Sequence, residues 1–277
     1  MACALAYTGV QAQAGTGSMY GQPRPASEYA KDVTGSVSAG YVSRYEYKNM
    51  VVSPELNNSG VFNLNGKVTM PLGTSLKQSF GAGYSQILDG RLDDRNQFDA
   101  FWSAGKEVLP NLTVGGGYDL VYGGLPGYVA KTMNKAPHSL TQGLRAYAHY
   151  DDPGHGYFGT MNVQYGFYGL TGWIMDVEAG KRWNSGFSQK VDFQLSAGFG
   201  ASTSYWGSSI DGLDQVNVKF SAPIRMNMMD DRKGFRIVPF VQAVWGGNTR
   251  HQIRDYVGDR LIDRFQVVGG VNVIYNF

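Results

Sequence analysis

The sequence predicts an all-β chain folded as a transmembrane, up-and-down antiparallel β-barrel of about twelve strands. Three observations predict it. From residue 34 to the last residue, apolar and polar side chains alternate with the two-residue period of a strand whose faces meet different surroundings. One face of nearly every such segment is free of charge, while the other collects the ionisable residues. The connections alternate between short, Pro/Gly/Asn/Asp-rich turns and longer loops.

Bulk composition agrees. The chain has 277 residues, within the range of one all-β domain. Charged residues make up 17% and glycine numbers 38. Mean hydropathy is −0.27, and no run of apolar residues is long enough for a membrane helix. A membrane barrel can be this polar because only alternate residues meet lipid. A net charge of +2 with no basic run argues against a nucleic-acid partner.

Residues 1–14 are small and apolar and end in Ala12-Gln13-Ala14, an A-x-A cleavage pattern. They read as the remnant of a signal peptide. Cleavage there removes the single cysteine, Cys3, and with it any disulfide framework. Residues 15–33 are rich in Gly, Pro and Ser and read as a flexible periplasmic lead-in. The barrel then occupies residues 34–277.

Strand one is expected over 34–47, with Val37, Ala39, Tyr41, Ser43 and Tyr45 outward. Strand two (61–70) puts Phe62, Leu64, Val68 and Met70 outward. Strand three (76–87) does so with Phe80, Ala82 and Tyr84, strand four (97–108) with Phe98, Ala100, Trp102 and Ala104, and strand five (112–122) with Leu112, Val114, Tyr118 and Leu120. Strands six, seven and eight are expected over 140–150, 157–168 and 172–183. Strand nine (190–202) alternates Val191, Phe193, Leu195, Ala197 and Phe199 with polar or small residues. Strand ten (215–226) does the same with Val216, Val218, Phe220, Ala222 and Ile224. Strand eleven (235–245) and strand twelve (265–277) complete an even number.

With the N-terminus in the periplasm, the bottom turns fall at 71–75, 109–111, 151–156, 184–188 and 227–234. The top loops fall at 48–60, 88–96, 123–139, 167–171, 203–214 and 246–264, most of them longer. Trp173 and Trp183 share a face ten residues apart, as do Phe265 and Tyr275. Ten residues at ~3.3 Å each, tilted about 40°, climb roughly 25 Å, the height of a lipid-facing band between aromatic girdles.

The last strand, FQVVGGVNVIYNF, carries Gly270, Val273, Tyr275 and a final Phe277. This resembles the C-terminal signal of Gram-negative outer-membrane barrels. The resemblance implies location in the bacterial outer membrane, with lipid and the barrel-assembly machinery as partners. Strand one also resembles the opening strand of a family of small bacterial porins, the TorF-like group. Tyr41, Ser43, Tyr45 and Lys48 match that family's pattern, and Asn49 stands where a glycine is expected. That resemblance implies a porin-type barrel and names no solute.

Inward parity collects seven acids, Glu46, Asp99, Glu107, Asp119, Asp176, Glu178 and Asp192, and seven bases, Arg44, Lys67, Arg145, Arg182, Lys219, Arg225 and Arg236. Unpaired charges in a dry interior are costly. The balance therefore predicts either cross-lumen ion pairs in a closed barrel or a wetted pore with opposed tracks. In the second case Arg145, Arg182, Lys219 and Arg225 favour anions at one wall, and Asp99, Glu107, Asp119 and Asp176 favour cations at the other. Lys106 and Lys181 are the outward exceptions, near strand ends where a lysine can snorkel.

No catalytic or metal site is expected, and no cofactor. His138 and Ser139 are adjacent and diverge on a strand. His149, Asp151, Asp152 and His155 cluster at an expected periplasmic turn, where turn-forming Asp and Gly suffice. Asp89, Asp93 and Asp94 lack the EF-hand pattern, and the histidines lack zinc spacing. Gly115-Gly116-Gly117 lies inside a strand and reads as close strand packing or room for a neighbouring tyrosine. The function expected is passive passage of small polar or charged solutes. A closed structural or adhesive barrel working through its external loops is the alternative, and an outer-membrane hydrolase, testable at His149 or His251, the third. The solute and the oligomeric state are not legible.

Overall fold

The computed structural model describes residues 33–43, 46–47, 50–51, 60–72, 75–88, 96–123, 140–186, 188, 190–205, 211–226, 234–249 and 265–277. Residues 1–32, Arg44, the loop residues 89–95 and 124–139, and His251 lie outside them, as does the side chain of Glu46.

Alternating sequence becomes strand from β1 (Thr34–Val42) onward. A two-residue hairpin, β2 (Glu46–Tyr47) with β3 (Met50–Val51), stands apart from the main sheet. Then follow β4 (Val61–Leu72), β5 (Leu76–Ile87), β6 (Gln97–Leu109), β7 (Leu112–Gly123), β8 (Leu140–Asp152), β9 (Tyr157–Tyr168), β10 (Leu170–Asn184), β11 (Asp192–Thr203), β12 (Asp211–Ser221), the short β13 (Ile224–Arg225), β14 (Gly234–Gly246) and β15 (Phe265–Asn276). Each long strand pairs antiparallel with its neighbours in chain order. The ring closes where β15 pairs β1, with Val37 opposite Tyr275 on one side and opposite Gly66 of β4 on the other. Twelve long strands make a closed barrel with no free edge.

The outer wall is apolar. Val37, Phe62, Leu64, Phe80, Phe98, Val114, Leu144, Met161, Leu195, Phe220, Val241 and Val273 all stand exposed on it. Aromatic rings pair at both ends of this band. Tyr165 with Trp173 (4.9 Å) and Trp245 with Phe265 (5.2 Å) sit at the loop end. Trp183 with Phe193 (6.1 Å) and Phe235 with Tyr275 (4.7 Å) sit at the turn end. The inner face carries Ser36, Ser38, Asn63, Ser79, Ser103, Gln164, Ser196, Gln242 and Gln266. This is the reverse of a water-soluble sandwich, and it is the distribution a hydrocarbon solvent selects.

Glycines let inward rings lie flat on the wall instead of filling the lumen. A Cβ at Gly81 would meet the Phe101 ring at 2.2 Å, and one at Gly105 or Gly115 would meet Tyr147 at 2.2 or 2.5 Å. Phe158 lies over Gly180 and Phe240 over Gly270 in the same way. The glycine triplet on β7 thus has its tyrosine.

The structure departs from the sequence expectation in five places. Strand one, expected over 34–47, leaves the barrel ladder after Val42, and Glu46, expected inward on it, lies on β2, which pairs with β3 and not with the barrel wall. Strand ten is interrupted, because Pro223 has no N–H to continue the ladder; β12 ends at Ser221 and β13 is a separate piece. Strand ten also begins earlier, at Asp211, and Asp214 is an extra residue against Gly200 and Ala201. This bulge turns Asp214 and Gln215 both into the buried interior. The top loop expected at 167–171 contracts to Gly169, whose φ of 78° only glycine adopts readily. Asp151 and Asp152, expected in a turn, are the last residues of β8.

Candidate functional site

A ring of twelve strands about 4.8 Å apart, tilted about 40°, has a backbone radius of roughly 12 Å. Inward side chains take up several ångströms of that, so the charges on the wall decide what the remaining bore offers.

Strand parity turns Lys67, Asp99, Glu107, Asp119, Arg145, Asp176, Glu178, Arg182, Asp192, Lys219, Arg225 and Arg236 inward. The structure does not bring all of them together. Four ion pairs or hydrogen bonds run along the wall between near neighbours. Arg145 Nη2 of β8 lies 3.5 Å from Asp119 Oδ1 of β7. Arg225 Nη2 of β13 lies 2.5 Å from Asp192 Oδ2 of β11. Arg182 of β10 pairs with Asp151 of β8. Asn162 Nδ2 donates to Asp176 Oδ2 at 2.7 Å. Two of these cations also lie on the flat rings, Arg145 over Phe101 (5.5 Å) and Tyr147 (6.0 Å) and Arg182 over Phe158 (5.0 Å), and so does Lys219, over Phe240 (4.9 Å).

Strand order sorts the charges into two arcs. Among the described inward positions, β6 to β11 carry seven acids, Asp99, Glu107, Asp119, Asp151, Asp176, Glu178 and Asp192, with Arg145 and Arg182 among them. From β12 round through β15 and β1 to β5 the inward bases are Lys219, Arg225, Arg236, Lys67 and Lys77. The acid on that arc is Asp214, buried in its bulge and accepting from Ser202 Oγ at 2.7 Å. Arg145 and Arg182, grouped by sequence with the basic wall, therefore belong to the acidic one. Asp151 and Lys77 are functional candidates that the sequence reading missed. Asp151 falls in the expected turn; Lys77 is the second residue of β5 at the turn end, opposite Gly105. Extending strand six by one residue would have found Asp151, and Lys77 already shares the inward parity of strand three with Ser79 and Ser85.

Glu107 sits at the turn-end rim, where its Oε1 accepts the Asn111 amide at 3.0 Å. The proposed His/Asp cluster is divided. His149 is buried on the inner face, Asp151 serves Arg182, and Asp152 accepts from the Gly154 and His155 amides (3.0 and 3.3 Å) and contacts His155 Nδ1 at 2.8 Å. Of the four residues read as an assembly signal, Val273, Tyr275 and Phe277 are exposed on the outer wall, and Gly270 faces inward beneath Phe240.

Several inner polar atoms are shielded and meet no hydrogen-bond partner among the described residues: both amide atoms of Gln266, Gln242 Oε1, Ser85 Oγ and Thr160 Oγ1. Buried polar groups are ordinarily satisfied, and water is the partner such a lumen admits. At the loop end the inner face changes character. Val42, Val61, Val121, Leu170, Ile174, Val244 and Val268 are inward and buried there, with Tyr205 behind Thr203 and Ser204 against the β9–β10 wall.

No family model matches the chain, and no curated protein matches it. Among solved structures it is similar to the KdgM porin, at 10% identity and a TM-score of 0.49, over 87% of this chain and 99% of that one. It is similar to the NanC porin (8%, 0.47, 87% and 98%) and to an outer membrane channel from Pseudomonas putida F1 (7%, 0.48, 88% and 95%). Identities and TM-scores this low leave solute and activity open.

Proposed function

We propose that this chain is a porin-like channel of the bacterial outer membrane, passing small polar or charged solutes by diffusion. One observation carries the reading: a closed ring with an apolar outside and an inside where acids dominate one arc and bases the other. A solute crossing such a bore exchanges part of its hydration for these side chains, and the transverse field orients it. Lys67, Lys219, Arg225 and Arg236 would attract anionic groups, and Asp99, Asp119, Asp176 and Glu178 cationic ones. The strand carrying Gly270, Val273, Tyr275 and Phe277 would be read by the barrel-assembly machinery, and the loop end would face outward.

Refolded full-length protein in a planar bilayer should give discrete open-channel steps in KCl. A tight bilayer with inserted protein and no steps would sink the channel reading. It would favour a closed structural or adhesive barrel acting through its loops. A specific observation supports that second reading: Val61, Val244 and Val268 at the loop end have no solvent exposure. Replacing these valines by serine separates the two. Conductance rises if an apolar constriction limits a working pore.

A further inference from the structure

The outer wall between the girdles is almost free of charge, yet Lys181 stands on it, exposed, on β10. It lies two residues from Trp183, about 5 Å along the membrane normal toward the midplane from that girdle ring. It is not bare. Its Nζ lies 4.8 Å from the centroid of the exposed Tyr157 ring and 3.4 Å from the Tyr157 hydroxyl. The ladder places Tyr157 directly opposite Lys181, with Leu195 on the other side. One rung nearer the midplane, Gly159, Ala179 and Ala197 stand side by side on the same wall. The rung therefore has almost no side-chain height, between the tall Lys181–Tyr157 pair and the Met161–Val177 rung beyond.

We propose that Lys181 and Tyr157 hold the phosphate of a phospholipid from the leaflet at the turn end, with an acyl chain lying over the low Gly159–Ala179–Ala197 rung. The proposal rests on the membrane reading above. An ammonium on a lipid-facing wall is costly without a counter-charge. The carboxylate on its rung, Asp152 beyond Tyr157, is engaged by the Gly154 and His155 amides and by His155 Nδ1. An ammonium that reaches the headgroup level by snorkelling meets phosphate there. The phenol supplies a second donor, and its ring supports the cation. Lys106, the other outward lysine among the described strand residues, is opposite Val114 where Lys181 has Tyr157.

The experiment is native mass spectrometry of the full chain released from detergent, titrated with dioleoyl phosphatidylglycerol and, in parallel, with dioleoylglycerol. Wild type should retain one phosphatidylglycerol at least five-fold more than Lys181→Gln does. Tyr157→Phe should fall between them, Lys106→Gln should match wild type, and dioleoylglycerol should not be retained. Equal retention by Lys181→Gln and wild type, or equal retention of the phosphate-free lipid, overturns the site. Liposome insertion and heat-modifiable migration are recorded for each variant. Wild type that fails to insert sinks the membrane reading instead, and variants that insert normally confine the result to the lipid site.

Discussion

At the scale of single residues, the barrel is governed by where a Cβ is missing. Phe101 can lie on the wall because Gly81 is opposite it, and Arg145 can lie on Phe101 because that ring is flat. Gly81→Ala should therefore destabilise by about 1–3 kcal/mol, the usual cost of overpacking. In a Phe101→Ala background the same change should cost less, with a coupling of roughly 0.5 kcal/mol or more. Urea unfolding in lipid vesicles, followed by tryptophan fluorescence, measures the cycle. Additive effects would mean the ring does not need the notch. This level was half legible. The Gly115–Gly117 run invited a tyrosine, and Tyr147 fills that place. Gly81 and Gly270 gave no such signal, because an isolated glycine in a strand looks the same whether a ring covers it or nothing does. Gly270 in addition was read as an assembly signal, and its seat under Phe240 gives that glycine a packing role of its own.

At the scale of elements, alternation located every long strand, since a period of two is hard to produce otherwise. What it could not see was a change of phase or a missing donor inside an apparently continuous run. Asp214 adds one residue, and Pro223 removes one N–H, without disturbing the apolar count. The turns were more legible. The β6–β7 hairpin turns on Pro110 and Asn111, and Asn111 has φ 67°. Proline followed by a residue of positive φ is the type II pattern. Asn111→Gly should leave stability unchanged within about 0.5 kcal/mol, since glycine accepts that φ freely. Asn111→Val should cost about 1–2 kcal/mol, because a β-branched residue resists the left-handed region. The same unfolding assay decides. If valine is tolerated as well as glycine, the turn relaxes to another geometry and the Glu107 contact does not hold it.

At the scale of the whole molecule, the deciding property is the order of charges around the ring. It was present in the sequence, because an up-and-down barrel keeps its strands in chain order. Grouping the ionisable residues by sign instead of by strand put Arg145 and Arg182 on the wrong arc; the pairs to Asp119 and Asp151 show where they stand. With a backbone radius near 12 Å and side chains reaching inward, facing charges are separated by about one Debye length at 0.1 M salt, ~10 Å. At 1 M that length falls to ~3 Å, and each arc acts only on what touches it. Reversal potentials in a KCl gradient should follow. Neutralising the basic arc, Lys67→Gln with Lys219→Gln and Arg236→Gln, should move the channel toward cation selectivity. Asp99→Asn with Asp119→Asn and Asp176→Asn should move it toward anions. Both shifts should shrink when the whole gradient is raised from about 0.1 M toward 1 M. Two triple variants that shift the same way, or shifts indifferent to ionic strength, would show that permeating ions do not sense the arcs. Selectivity would then have to come from the buried apolar residues at the loop end, Val61, Val244 and Val268, where size and dewetting, rather than sign, would discriminate.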